Sequence, residues 1–305
     1  MSKVVPLSIT PTIVAALSAI LAYRYLSVKQ VATIVGVAEK SASEMLLRLQ
    51  RHHLLGSFGN AGMYGSGKTP KVYFLTRTGH RLLSEECEAD GAAIKPFSQV
   101  KMNTKWTPLM FHRMATLDVM SYVERDCAAL SDYRLVGTLV EYRREKTGGG
   151  KQRCETTDYV ATPLVSENKI VPDAGFAIEH VASGKRALFL IEVDRGTTPL
   201  TSNQPEEDVK PFIAKLAQYD RYLASGRVRD RFAHLGSFAG FHLLVITTGG
   251  SRVANMRAAA VLLSPAFHHL YRFSTLDAVS HNVLHDGWLS RDHADNTTYK
   301  LIKGS

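Results

Sequence analysis

Cysteine is scarce in this chain, and its three cysteines lie far apart. Cys87, Cys127 and Cys154 form no CxxC pair, and no Cys/His combination has the spacing of a metal site. An odd number of scattered thiols argues against a disulfide framework, and the missing ligand spacing argues against structural zinc. We therefore expect a protein of a reducing compartment, the cytoplasm.

The chain also lacks a long apolar run. The main candidate, Ile13–Tyr23, has eleven residues, whereas a membrane-spanning helix needs about 20. One lysine precedes this run, no A-x-A cleavage site follows it, and Arg24 ends it, so the pattern of a signal peptide is absent. We interpret the run as a helix of the protein core and expect no membrane partner.

Acidic residues are outnumbered, above all in the first third of the chain. The net charge is +9 and the sequence pI is about 9.4, while 45% of the residues are hydrophobic, which is enough to build a core. Residues 1–105 contain thirteen Lys/Arg and six Asp/Glu, so +7 of the +9 lies there. A basic front part joined to a nearly neutral remainder predicts that the front part binds the phosphate backbone of DNA.

The first ninety residues have the element order of a winged helix-turn-helix. Apolar spacing predicts helices over 12–23, 27–34 and 40–53, with Ser27 as the N-cap of the second. LLGSFG and KVYFLT predict two strands joined by a glycine-rich hairpin, and TRTGHRLLSEE predicts a closing helix. We therefore predict a DNA-binding domain over residues 1–88, with a helical protein-interaction module as the alternative.

The third predicted helix and the hairpin supply the candidate DNA contacts. One face of the helix repeats apolar residues at i, i+3, i+4 and i+7, as a core face does. The opposite face is polar and suits bases and phosphates in a major groove, and two lysines lie at the tip and flank of the hairpin. The candidate DNA-binding residues are Ser41, Glu44, Arg48, Arg51, Lys68 and Lys71.

One motif in the hairpin imitates a nucleotide site. Residues 62–69, GMYGSGKT, match the phosphate-binding pattern GxxxxGK[ST]. That chemistry requires a helix after the loop, because the amides of the helix N-terminus hold the phosphate. Here Pro70 and the strand-like KVYFL follow. We therefore expect a mobile wing and no nucleotide cofactor.

The remainder of the chain predicts an α/β nuclease-like domain. A polar stretch with Gly91 and Pro96 predicts a linker over 89–105 and a second domain over 106–305. GFAIEH and ALFLIEVD predict two strands around a turn, and further strands alternate with helices, as in an α/β sheet. The predicted fold class is α/β overall, with the winged helix-turn-helix followed by a restriction-endonuclease-like, PD-(D/E)xK, domain.

Carboxylates mark the predicted catalytic site. Asp173 opens the strand pair, and Glu192 and Asp194 end it on one face of their strand. Such acids hold Mg²⁺ or Mn²⁺, which activates water and polarises a phosphodiester. A PD-(D/E)xK core usually carries lysine at the position of Asp194, so either catalysis is lost or the cation comes from elsewhere. Lys215, one turn before Tyr219 on a predicted helix 209–225, is the first candidate, and Arg195 is the second.

The order of these pieces resembles the replication-relaxation family, which includes the MobC-type relaxases of mobilisable plasmids. The resemblance covers about residues 12–290 and rests on KVYFLTRTGHRLL, HRMATLDV, VPDAGF, LIEVDRGT, KLAQY and LLVITTGGSR. It implies a winged helix-turn-helix fused to a nuclease-like domain. It also implies that Asp173 and Glu192 are metal ligands, that Asp194 is a third acid and that Lys215 lies in the catalytic helix.

Several readings of function remain open at this point. The first is a metal-dependent, DNA-nicking relaxase that binds an origin-like site in double-stranded DNA, alone or as a homodimer. The second is a non-catalytic accessory protein or transcriptional regulator with a degenerate nuclease fold. The third is a docking domain for other transfer or replication proteins. No His-x-His triplet is present, so the relaxase type with a histidine triad is not indicated, and covalent attack by Tyr219 is a minor alternative.

Overall fold

The computed structural model describes most of the chain, which divides into two compact units. The described residues are 7–59, 63–64, 67–89, 91, 94, 97–101, 104–146, 152–161, 168–196, 198–201, 211–284 and 287–302. The first unit is Met1–Ser121 and the second is Tyr122–Ser305. The predicted bounds of the DNA-binding domain, the linker and the nuclease-like domain stay predictions.

Three helices open the first unit, and the local sequence explains where they begin. They are α1 (Pro11–Tyr23), α2 (Val28–Val35) and α3 (Glu39–Arg51). Thr10 caps α1, because its Oγ1 accepts the N–H of Ile13 at 3.3 Å. Ser27 caps α2 through a capping box with Gln30, which confirms the predicted N-cap. Gly36 ends α2 with φ 74°, a conformation that suits glycine.

The apolar helix α1 forms the centre of the core of the first unit. Its buried side chains include Ile13, Ala16, Leu17, Ile20 and Tyr23. The interpretation of this run as a core helix is therefore confirmed. Within the described ranges, no helix is long and apolar enough to cross a membrane.

The strands of the first unit form a small antiparallel sheet and a separate hairpin. They are β1 (Leu26–Ser27), β2 (Leu55–Phe58), β3 (Met63–Tyr64), β4 (Gly67–Lys68) and β5 (Val72–Leu75), and α4 (Arg77–Ala89) follows them. Strand β5 lies between β1 and β2, while β3 pairs with β4. Helix α4 packs closely through Gly79, because a Cβ there would lie 2.2 Å from the carbonyl oxygen of Leu54.

A strand follows GMYGSGKT, where a phosphate-binding loop requires a helix. Lys68 ends β4, Pro70 follows, and β5 begins at Val72. The motif residues Gly62, Gly65 and Ser66 lie outside the described residues. The chain therefore runs from strand to strand after the motif, which is the order of a β-hairpin arm.

Seven strands of the second unit form one mixed sheet. From the helix that leads into this unit onward, the elements are α5 (Pro108–Ala128), β6 (Tyr133–Val140), β7 (Arg144–Lys146), β8 (Gln152–Cys154), β9 (Asp158–Tyr159), β10 (Lys169–Ile170), β11 (Ala174–His180), β12 (Arg186–Asp194), α6 (Phe212–Ser225), α7 (Val228–Arg231), β13 (His242–Thr247), α8 (Gly250–Ala260), β14 (Tyr271–Thr275), α9 (Leu276–His281), β15 (Trp288–Ser290) and β16 (Thr298–Tyr299). The strand order is β16-β15-β14-β13-β12-β11-β6. The predicted α/β class is confirmed.

Parallel crossovers bring the carboxyl ends of three strands to one edge of this sheet. Strands β12, β13 and β14 are parallel neighbours, whereas the other neighbouring pairs are antiparallel. Helices α6 and α8 pack into one hydrophobic core through Leu216, Tyr219, Val253 and Met256. The carboxyl edge of parallel strands is where open α/β sheets place their sites, and the acidic end of β12 lies there.

Candidate active site and nucleic-acid interface

Two buried carboxylates lie at the ends of neighbouring strands: Asp173 directly precedes β11, and Glu192 lies near the end of β12. Ala174 pairs with Ile191 in the antiparallel register, and the N–H of Asp173 donates to the carbonyl oxygen of Ile191 at 3.0 Å. Asp173 therefore lies beside the carboxyl end of β12, and its charge acts on Glu192. The Oδ2 of Asp173 accepts the N–H of Val193 at 2.8 Å. The two acids are 8% and 5% exposed, so they form a fixed, largely desolvated pair.

Helix α6 supplies two side chains that bind the carboxylate of Glu192. Lys215 and Tyr219 are one turn apart and face the same way. The Nζ of Lys215 donates to Oε2 of Glu192, and the hydroxyl of Tyr219 donates to Oε1. Tyr219 is fully buried, whereas the side chain of Lys215 is 38% exposed. Lys215 is therefore the more accessible of the two groups that Glu192 binds.

Burial and neighbouring charges together set the pKa values of these groups. It raises the pKa of Glu192 to about 7, with the charge of Lys215 opposing this shift and that of Asp173 adding to it. Burial alone would lower the pKa of Lys215, but the carboxylates of Glu192 and Asp173 raise it, so the ammonium group stays charged. Burial and the charge of Glu192 raise the pKa of Tyr219. Its hydroxyl thus keeps its proton and is poorly suited to nucleophilic attack.

Asp194 lies at the end of β12 and is bound by other partners. Its Oδ2 accepts Nε of Arg252 at 2.9 Å, the hydroxyl of Thr247 at 3.1 Å and the N–H of Gly196 at 3.0 Å. Burial would raise the pKa of Asp194, but the hydrogen bonds and charge of Arg252 hold it below its ordinary value. Asp194 therefore stays ionised inside an ion pair, while the neighbouring Arg195 is exposed.

Arg252 is the site residue that reasoning from the sequence missed. It lies in the first turn of α8, next to the carboxyl end of β13. The segment LLVITTGGSR already contained the signal, since a strand, a short turn and an arginine in the next helix place that arginine at the edge where β12 also ends. A buried acid in the usual lysine position needs a cation to offset its charge, and Arg252 supplies that cation.

The predicted DNA-reading face lies on the solvent side of α3. Ser41, Glu44, Arg48 and Arg51 are all exposed. The opposite side of the helix buries Ala42, Leu46 and Leu49, while the predicted core residue Met45 is only partly buried. The structure thus brings the four predicted α3 residues together on one accessible surface.

Of the two predicted hairpin lysines, Lys71 has side-chain contacts that the structure describes. The Nζ of Lys71 donates to Oε1 of Gln50 on α3 at 3.0 Å and lies 4.8 Å from the ring centroid of Tyr73. Gln50 in turn donates to the hydroxyl of Ser57 at 2.9 Å. Lys71 therefore ties the sheet to α3, beside the exposed face of the helix. Lys68 ends β4, and its side chain lies outside the described part of the structure.

Comparison with known families identifies the chain's relatives. The model of the family described as replication-relaxation matches residues 17–234. The chain belongs to the replication-relaxation family. Membership indicates a role in replication or mobilisation, and the match spans α3 as well as Asp173, Glu192, Asp194 and Lys215. No curated protein and no solved structure gives a significant match.

The donor set of this replication-relaxation protein fits one kind of metal. Among the residues that the structure describes, no group of three or more His, Cys, Asp or Glu could hold an ion. A tetrahedral zinc site needs three or four such ligands. Mg²⁺ keeps several waters and is commonly held by one or two carboxylates together with substrate phosphates. Asp173 and Glu192 offer carboxylate oxygens, the donor type that Mg²⁺ and Mn²⁺ prefer, and Lys215 and Tyr219 already bind the carboxylate of Glu192.

Proposed function

We propose that this protein binds double-stranded DNA at an origin-like site and cuts one strand with the help of a divalent metal ion. The observation that carries the proposal is the group formed by Asp173, Glu192 and Lys215. Two acids at the ends of neighbouring strands, one of them in contact with a lysine, are the working parts of a PD-(D/E)xK nuclease core. In this chain the lysine comes from α6 rather than from position 194.

The arrangement of the first unit supports the DNA-binding half of the proposal. Helices α1, α2 and α3, the β2–β5 pairing and α4 follow each other in the order of a winged helix-turn-helix. In such domains the third helix reads base edges in the major groove and the hairpin contacts phosphate. The exposed polar face of α3 and the net charge of +7 over residues 1–105 suit both tasks.

The chemistry of the second unit follows from its charges. When bound, an Mg²⁺ or Mn²⁺ ion would polarise the phosphodiester and lower the pKa of a water molecule bound to it. Asp173 and Glu192 would hold that ion, and Tyr219 keeps Glu192 in place. Lys215 bears a lasting positive charge and is partly exposed, so it can stabilise the extra negative charge that builds up on the phosphate during cleavage.

A plasmid-nicking assay tests the proposal. Supercoiled DNA carrying the protein's own gene neighbourhood is incubated with Mg²⁺ or Mn²⁺ and either the wild type or Asp173→Ala. We expect open-circle product from the wild type only, no product when the metal is chelated, and equal gel shifts for both proteins. Metal-dependent nicking that persists in Asp173→Ala would overturn the assignment of the site.

One observation favours a second candidate function. Asp194 stands at the position where a working PD-(D/E)xK core carries lysine, and Arg252 forms an ion pair with it. A nuclease fold that has lost its chemistry would leave a DNA-binding accessory protein or transcriptional regulator. That function predicts a clear gel shift with no cleavage at any metal concentration. A loss of nicking in Glu192→Ala relative to an active wild type would defeat it.

A further inference from the structure

We infer that Leu47 of α3 reads the methyl group of a thymine in the major groove, in the base pair next to the one that Arg48 contacts. The inference rests on the proposed binding of DNA by α3 and adds to it one base and the residue that recognises this base. It is independent of the proposed cleavage by the second unit.

Leu47 is a large apolar side chain on the solvent side of α3. It is 37% exposed, whereas Ala42 and Leu49 of the same helix are fully buried. An α-helix turns by about 100° per residue, so Leu47 lies about 140° from Ala42 and about 160° from Leu49 around the helix axis. Leu47 therefore points away from the core that the other side of α3 helps to form.

The neighbours of Leu47 on this face are charged side chains without partners. Residues three and four apart share a face of a helix, which places Glu44 and Arg51 on either side of Leu47 along α3, and Arg48 follows it directly. In the part of the chain that the structure describes, the side chains of Glu44, Arg48 and Arg51 form no hydrogen bond and no ion pair. These groups and the exposed part of Leu47 are all available to a ligand.

The chemistry of this face fits the major groove of DNA. Three exposed cations, those of Lys40, Arg48 and Arg51, outnumber the single carboxylate beside them, which favours a polyanion as the ligand. In the major groove arginine binds guanine, a carboxylate accepts from the amino group of cytosine, and an apolar side chain contacts the C5 methyl of thymine. That methyl is the apolar group among these, so it is the match for Leu47.

The spacing along the helix places the thymine beside the base that Arg48 reads. Consecutive residues of a helix rise by about 1.5 Å, whereas consecutive base pairs are stacked about 3.4 Å apart. Leu47 and Arg48 are therefore closer together along α3 than two neighbouring base pairs are along DNA. Because the G·C pair that Arg48 reads has no methyl group, the thymine belongs to the adjacent pair.

Replacing thymine by deoxyuridine tests the inference, because this change removes only the C5 methyl group and keeps the base pairing. The full-length wild type first selects its preferred duplex from a random library. Each thymine of that duplex is then replaced in turn, and the dissociation constant is measured by fluorescence anisotropy. At one thymine, next to the base pair at which Arg48→Ala loses discrimination, we expect affinity to fall about fourfold, the loss for one buried methyl group.

Variants of Leu47 assign the effect to this side chain. Leu47→Ala should bind the thymine and deoxyuridine duplexes equally, whereas Leu47→Met, which keeps an apolar side chain of similar length, should keep most of the discrimination. Leu109→Ala is the matched control, because Leu109 is an exposed leucine outside α3, and it should discriminate as the wild type does. Undiminished discrimination in Leu47→Ala would overturn the inference.

The wild-type measurements separate the inference from the function on which it rests. A selected duplex in which no thymine is sensitive to the loss of its methyl would overturn the reading by Leu47 and leave DNA binding standing. Failure to select any duplex would overturn both. A changed oligomeric state of Leu47→Ala, with thymine discrimination intact, would assign this face to a protein partner and overturn the inference as well.

Discussion

At the scale of a single residue, a substitution of Tyr219 distinguishes hydrolytic from covalent cleavage. Tyr219→Phe keeps the ring beside Phe241 and removes only the hydroxyl that binds Glu192. We expect the variant still to nick DNA, with a rate lowered by about 10- to 100-fold because the carboxylate is held less firmly. Its free energy of unfolding should fall by about 1.5–3 kcal/mol, the range for a hydrogen bond to a charged group. Plasmid nicking and urea unfolding measure the two effects.

A neighbouring tyrosine provides the matched control. Tyr222 is also buried, and its hydroxyl donates to Oδ2 of Asp158 at 2.6 Å, away from the carboxylate pair. Tyr222→Phe should lower stability by a similar amount and leave the nicking rate unchanged. A DNA–protein adduct that survives denaturation in the wild type and disappears in Tyr219→Phe would contradict hydrolysis.

His242 gives the second residue-scale prediction, which concerns stability and pH. It stacks on Phe189, with ring centroids 5.4 Å apart. Burial, together with the charges of Arg272 and His269, lowers its pKa to about 4. Above about pH 6.5 the ring is neutral whether the chain is folded or unfolded. Between about pH 6.5 and 4 only the unfolded chain takes up the proton. The free energy of unfolding therefore falls by as much as about 3 kcal/mol over this range.

The measurement compares urea unfolding of the wild type and His242→Phe at pH 7 and pH 5. The phenylalanine keeps an aromatic ring next to Phe189 and cannot be protonated, so the variant should lose less stability on acidification. Replacing the exposed His293 by phenylalanine controls for the removal of a histidine as such. Equal losses in the wild type and His242→Phe would show that His242 does not titrate as described.

Reasoning from the sequence named Asp173 from the start of the strand pair, Glu192 from the end of an apolar strand and Lys215 from the helix that follows. The structure places Lys215 in contact with Glu192, and the catalytic role of these residues stays a prediction. Arg252 was missed because its partner is 58 residues away along the chain and meets it only through the parallel pairing of β12 with β13. Local periodicity carries no information about such a pairing.

At the scale of elements, helix α3 should read sequence. Arg48 is exposed in the middle of the polar face, so Arg48→Ala should cost about 1–3 kcal/mol at one cognate base pair. The variant should bind scrambled DNA as well as the wild type does. Competition gel shifts with cognate and scrambled duplexes measure both quantities. Unchanged binding to both duplexes would mean that α3 is not the reading helix.

Lys71 is the matched control on the neighbouring sheet, because it is expected to bind phosphate instead of bases. Lys71→Ala should weaken binding to every sequence and lower the slope of log affinity against log salt by about one unit. The same variant also breaks the link to Gln50. Lys71→Arg, which keeps the charge, should therefore restore most of the salt dependence.

Element bounds in the first unit were predictable where a cap marks them. Ser27 starts α2 as expected, because serine followed three residues later by glutamine is a capping box. The third helix was predicted to reach His53, but α3 ends at Arg51. His53 adopts a positive φ of 60°, which turns the chain towards β2. Histidine is tolerated in helices, so no residue at this point signals the end of the helix.

At the scale of the whole molecule, the uneven charge and the division into two units suggest that affinity and cleavage are separable. Most of the net positive charge lies in residues 1–105, whereas the carboxylate pair and Lys215 belong to the second unit. The proposed function therefore predicts that long-range attraction to DNA comes mainly from one part of the chain and phosphodiester chemistry from another. The fold class followed from alternating strand and helix patterns, but the division at Ser121 and Tyr122 lies inside α5, where composition does not change.

If affinity and cleavage are separable, substitutions in the two units should change different kinetic constants. In steady-state nicking of a cognate duplex, Arg48→Ala should raise KM and leave kcat unchanged, because it removes binding that is equal in the ground and transition states. Asp173→Ala should abolish kcat and leave the affinity measured by gel shift unchanged. Lys215→Met, which removes the charge that steadies the phosphate, should lower kcat at an unchanged KM. In the double variant with Arg48→Ala and Lys215→Met, the losses in free energy of the two single variants should add, because residues that share no partners act independently. A fall in kcat of Arg48→Ala at saturating DNA would instead show that DNA recognition controls the catalytic step.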